Sequence, residues 1–132
     1  MPTRHEIVEL CDAYCRAVSS RDLDAIMSLF AEDAHQYEPI GTEPRVGKAA
    51  IRAFFASTPP GRLILTRFGP VTVSGHHAAM QVIVNGELGG PSFRFTTTDV
   101  IEVGEDGRII SITALPDQQA VPQPASDVPG EA

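Results

Sequence analysis

The spacing of apolar positions changes part-way along the chain. Ile7, Leu10, Cys11, Tyr14 and Val18 recur at helical spacing, behind a Thr3-Arg4-His5-Glu6 stretch that has the form of a capping box. Asp22 is placed to cap a second helix, with Leu23, Ile26, Met27 and Phe30 as its inner stripe. A short extended segment follows, His35-Gln36-Tyr37-Glu38, stopped by Pro39 and Gly41. Gly47 to Ser57 predicts a third helix with Ile51, Phe54 and Phe55 on its apolar face. Beyond Pro59-Pro60-Gly61 the pattern is that of strands, over 62–68, 71–74, 77–84, 93–103 and 108–115. Asn85-Gly86 carries a hairpin signal, and Asp106-Gly107 a second turn. Helices first and antiparallel strands afterwards predict an α+β domain over 1–116. Its three N-terminal helices would cover one face of a curved mixed or antiparallel sheet and enclose a cone-shaped cavity. From residue 117 the pattern stops. Pro122, Pro124 and Pro129, mixed with Gln, Ser, Asp and Glu, make a tail with nothing to pack against.

Composition narrows the function classes. A chain of 132 residues is one domain with a real core, and a net charge of −7 leaves no basic patch for nucleic acid. No apolar run approaches ~18 residues and no basic-then-apolar leader opens the chain, so neither a membrane span nor a signal peptide is expected. Cys11 and Cys15 stand four apart on one helix, which is poor disulfide geometry; with no further ligands beside them, a reducing compartment, the cytoplasm, is the expectation. There is no G-x-G-x-x-G, P-loop, H-E-x-x-H or C-x-x-C pattern. His5, His35, His76 and His77 read as surface, loop or turn residues, and no metal site is expected. Lys48, the one lysine, reads as solvated.

Two acidic residues carry the chemistry. In the strand 93–103, alternation puts Phe93, Phe95, Thr97, Asp99, Ile101 and Val103 on one face, which is the core face. A carboxyl in that company either binds a backbone N–H or an arginine, or keeps its proton. A neutral acid facing a cavity can donate a hydrogen bond to a developing oxyanion. Glu38 sits on a bend before Pro39, which restricts the residue preceding it, and reads either as a solvated loop residue or as a carboxylate aimed inward. Tyr14, Phe30, Phe54, Phe55, Met80 and Phe95 complete a mostly apolar lining suited to a hydrophobic small molecule.

These residues resemble a known family. Tyr14 on its helix, the 22–34 stretch D-L-D-A-I-M-S-L-F-A-E-D-A, the Y-E-P-I-G of 37–41 and the T-D-V-I-E-V-G-E-D-G-R-I of 98–109 are similar to ketosteroid isomerases, within the nuclear-transport-factor-2-like (SnoaL-like) superfamily. The resemblance spans almost the whole chain up to about Leu115. It implies that Tyr14 is an oxyanion-hole tyrosine, Asp99 the protonated acid beside it, and Glu38 the base in place of the family's aspartate. It implies isomerisation of a 3-oxo-Δ5-steroid through a dienolate, with no metal or organic cofactor, in a homodimer pairing through the sheet's outer face (Thr96, Thr98, Val100). Other enzymes of the superfamily (dehydratases, polyketide cyclases, epoxide hydrolases) and non-catalytic binders of hydrophobic ligands are the alternatives. The departures are a base one methylene longer, phenylalanines at 30 and 55 where some members carry tyrosines, and Pro116 where some carry an aromatic residue.

Overall fold

The structure is a computed structural model and describes residues 1–117; the tail read from the sequence lies outside the described residues beyond Asp117. The first helix, α1 (Arg4–Ser20), forms where expected, and the capping box closes with Thr3 accepting from the Glu6 N–H and Glu6 from the Thr3 N–H. Its inner face, Ile7, Leu10, Cys11, Tyr14 and Val18, is buried. The second, α2 (Leu23–Ser28), is capped by Asp22 and is only six residues long. Phe30 is therefore not a helical stripe residue. It opens strand β1 (Phe30–Tyr37) and lies in register with Ile109.

A two-residue β2 (Arg45–Val46) pairs with β1, and α3 (Lys48–Ala56) follows. Two strands thus separate the second and third helices, so the helices do not all precede the sheet. Lys48 is half-buried and its ammonium lies 3.8 Å from Glu32, rather than free in solvent. Four long strands complete the chain: β3 (Arg62–Ser74), β4 (His77–Glu87), β5 (Phe93–Val103) and β6 (Ile109–Pro116). The six strands form one mixed sheet in the order β2-β1-β6-β5-β4-β3. Only β1 and β6 run parallel. The segments 62–68 and 71–74 are one strand interrupted by an irregularity between Phe68 and Thr72, where Gly69 has φ +68.

Asn85-Gly86 is not a turn. Both residues lie inside β4, opposite Arg94 and Phe93, and the turn falls beyond Glu87. The Phe93 ring covers the bare backbone of Gly86, where any Cβ would collide with it. An aromatic neighbour has taken the place of the missing side chain, so the strand continues through a dipeptide that ordinarily ends one. The second turn forms as expected at Asp106-Gly107, with Gly107 at φ +83.

Polar contacts fix α1 on β3. Arg67 makes a two-pronged pair with Asp12, Ser19 bonds both backbone groups of Leu65, and Arg4 reaches the Val71 carbonyl. These set the rotation of α1, and so the direction in which Tyr14 points.

Candidate functional site

The sheet face under the helices is ordered in rows. Asp99 on β5 stands between Met80 on β4 and Ala114 on β6, and the next row inward is Ala78, Ile101 and Ile112, continued by Gln36 on β1 and Arg45 on β2. The β1–β6 register ends at Tyr37 opposite Thr113, and Glu38 follows directly beyond the strand's end. The β6 neighbour of Asp99 is the small Ala114. The segment after Glu38 is pinned along β6 by the Ile40 N–H to the Ala114 carbonyl, 2.8 Å. The Glu38-Pro39 peptide is cis.

Each group has an environment that decides its protonation. Asp99 is 4% exposed, and burial first, then the charge of Glu38, pushes its carboxyl up to about 7; a 3.4 Å hydrogen bond from Thr97 opposes the shift. Among the described residues no arginine or backbone N–H bonds its carboxyl, an environment that fits a neutral acid better than a paired one. Tyr14 is buried, and burial, then Asp99, then Glu38, hold its phenol well above the ordinary range, so it stays an O–H donor at any working pH. Glu38 is half-buried; burial raises its carboxyl while Arg45 opposes the rise. The charge of Glu38 is near enough to raise both Tyr14 and Asp99.

The aromatic residues divide into supports and walls. Phe30 is fully buried and meets the Tyr14 ring edge-on at 6.4 Å, and Phe55 does so at 6.5 Å from the other helix. They hold the ring without offering its hydroxyl a hydrogen bond. Met80 is 1% exposed and packs beside Asp99 as part of its apolar surroundings. Phe54 is half-buried under the Arg45 guanidinium, 4.2 Å from the ring centre, and Phe95 stacks on Phe93 at the start of β5. A pocket of mixed polarity opens between the helices and β3, lined by Val18, Arg21, Ile26, Phe55, Thr58 and Leu63, and it includes none of Tyr14, Glu38 and Asp99. Cys11 and Cys15 are buried free thiols, pushed up to about 11 and about 12 mainly by burial, and are unreactive on that ground.

Two residues of the site were not legible as such in the sequence. Arg45 belongs to a strand too short for any periodic signal. Gln36 is fully buried, with both amide atoms lacking a hydrogen-bond partner. Alternation carried a usable clue, because an inward Glu38 obliges Gln36, two residues earlier, to face inward as well. Among the described residues no three His, Cys, Asp or Glu side chains are grouped to hold a metal ion, and no helix is long and apolar enough to cross a membrane.

Comparison with known proteins gives the chain's family. The SnoaL-like domain matches residues 11–112. The epoxide hydrolase LasB of Streptomyces lasalocidi is 36% identical over 119 residues, covering 83% of this chain; the chain spans only 40% of that relative's length. A steroid Δ-isomerase of Nocardioides simplex is 31% identical over 102 residues, 77% of this chain and 82% of its own. In three dimensions the chain superposes on the epoxide hydrolase/cyclase-like enzyme SalBIII, described in connection with pyran ring formation in the polyether salinomycin. The TM-score is 0.81 at 23% identity, over 92% of this chain and 98% of the other.

Proposed function

This chain belongs to the SnoaL-like domain family, and we propose that it is an acid–base enzyme acting on a hydrophobic substrate, in first place a 3-oxo-Δ5-steroid. The observation that carries the reading is a carboxyl, Asp99, buried without a counter-charge in the same interior as Tyr14 and Glu38. Ionised Glu38 removes the proton α to the carbonyl. Tyr14 and neutral Asp99 donate hydrogen bonds to the dienolate oxygen, and Glu38 returns the proton to the γ-carbon. The cavity under the helices is cone-shaped in this reading, and its apolar walls strengthen these hydrogen bonds by excluding water. The direct test follows the conjugated enone formed from androst-5-ene-3,17-dione by ultraviolet absorbance. Wild-type turnover that Glu38→Gln abolishes supports the reading; full activity in that variant sinks it.

A second reading, epoxide opening, is favoured by one specific observation. Gln36 brings an amide with donor and acceptor capacity unused among the described residues to the strand that ends directly before Glu38. Proton removal from carbon needs no such group, whereas activation of an oxygen nucleophile does. The same Asp99 and Tyr14 would then protonate or steady the departing epoxide oxygen. In either reading the outer sheet face, with Thr96, Thr98 and Val100, is where two copies would pair, and sedimentation would report it.

A further inference from the structure

A cavity separate from the carboxyl site lies where the end of α1, α2, the end of α3 and the start of β3 meet. Its volume is about 130 Å³, and Val18, Leu23, Ile26, Phe55 and Leu63 form its apolar walls. An engineered cavity of about 150 Å³ with walls of that kind holds benzene, so the space suits one six-membered ring. Tyr14, Glu38 and Asp99 are absent from its lining. Phe55, which does border it, meets the Tyr14 ring edge-on at 6.5 Å.

The polar part of the cavity is Arg21 with Thr58. Arg21 ends α1 at φ 58, in the left-handed region that favours glycine or asparagine, so the backbone gives no reason for an arginine there. The side chain does. Its terminal nitrogens donate to the carbonyls of Thr58, Pro59 and Gly61, which holds the guanidinium in one place. Those carbonyls do not neutralise it. Arg52 and Arg67 are each paired with an aspartate. Among the described residues no carboxylate pairs with Arg21, and no acceptor takes its Nε–H. A cation fixed at a ring-sized apolar cavity matches a ligand that has a ring and an anionic oxygen. Carboxylate suits the place better than phosphate, whose stronger hydration opposes entry between apolar walls.

We propose that this cavity binds a small carboxylic acid in its ionised form, with the hydrocarbon ring between α1, α2 and β3 and the carboxylate on Arg21. A neutral ring alcohol keeps the apolar contacts and loses the charge-assisted bond. A ring amine meets a like charge.

The test titrates benzoate, benzyl alcohol and benzylammonium into the whole chain and follows methyl NMR signals. Expected for benzoate are saturable shifts at Val18, Leu23, Ile26 and Leu63, with a Kd of about 1 mM for a ligand this small. Benzyl alcohol binds about tenfold more weakly, and benzylammonium shows no saturation. Arg21→Asn, which suits the left-handed backbone, brings benzoate down to the affinity of the alcohol. Ala56→Leu adds bulk to the cavity wall from an exposed position and removes the binding of both. Equal affinity for benzoate and benzyl alcohol in wild type overturns the proposal, whether or not either variant folds. So does a benzoate titration without saturation. Saturable shifts confined to Met80 and Ala114 also overturn it, because they put the ligand in the carboxyl site instead.

Discussion

The seam between α1 and β3 and the interior region holding Glu38, Gln36 and Asp99 belong to one sheet but follow opposite rules. Along the seam every polar group is answered. Thr3 and Glu6 cap each other, Arg67 is paired in two-pronged fashion with Asp12, and Ser19 both accepts from and donates to Leu65. Arg21, in the left-handed region at φ 58, spreads its guanidinium over the carbonyls of Thr58, Pro59 and Gly61 and fixes the loop entering β3. In the interior beneath the helices a carboxyl is buried with only a weak partner, and an amide with none among the described residues. Satisfied groups stabilise a scaffold; unsatisfied ones cost stability and persist where ligand chemistry needs them.

The largest expected effects are on catalysis and leave folding intact. Glu38→Gln should lower kcat by about 10²–10⁴-fold on whichever substrate the enzyme turns over, with its melting temperature unchanged or raised. A variant that unfolds instead would make Glu38 a structural residue. Asp99→Leu should cost about 10²–10³-fold, whereas Asp99→Asn keeps a neutral donor and loses much less. Equal losses in the two would show that packing, not hydrogen-bond donation, is what Asp99 supplies.

The pH profile sharpens the contrast. Activity needs Glu38 ionised and Asp99 protonated, so kcat/KM should rise as Glu38 titrates and fall as Asp99 does near about 7. Asp99→Asn removes the falling limb. Stability carries the same signature. The folded state holds a proton on Asp99 that the unfolded chain releases above 3.8, so folding stability is fullest at low pH. It drops by about 4 kcal/mol as pH rises to about 7, from this group alone. Chemical denaturation across that range in wild type and Asp99→Asn measures the difference, and parallel curves would contradict it.

Scaffold changes should move stability and spare the chemistry. A Cβ at Gly61, which has φ +142, would collide with the Glu87 carbonyl oxygen, so Gly61→Ala should destabilise by about 2–3 kcal/mol. Thr3→Ala removes one half of the capping box and should cost about 1 kcal/mol. Neither should alter kcat. A fall in kcat with Thr3→Ala would mean that α1 transmits its fraying to Tyr14.

How far these two regions could be read from the sequence follows from their physics. The α1 face, the Asp22 cap and the inward alternation of β5 are local, and local rules found them. Asp99 was visible because a lone carboxyl among phenylalanines and isoleucines violates the pattern around it. Phe30 was assigned to a helix because its spacing fits one; a long-range parallel pairing with Ile109 drew it into the sheet. Asn85-Gly86 carries a turn signal that does not hold, because the Phe93 ring that covers Gly86 lies on the neighbouring strand. Gln36 and Arg45 escaped notice because their places depend on the β1–β6 and β1–β2 registers, which no local window contains.

The proposed mechanism needs two carboxyls in opposite protonation states, Asp99 neutral and Glu38 ionised. Carbon-13 NMR of carboxyl-labelled protein, with Asp99→Asn and Glu38→Gln used for assignment, follows each carboxyl carbon directly across pH. The mechanism requires Asp99 to titrate near about 7 and Glu38 to lose its proton first. Asp99 titrating in the ordinary carboxylate range, with Glu38 above it, would contradict the account.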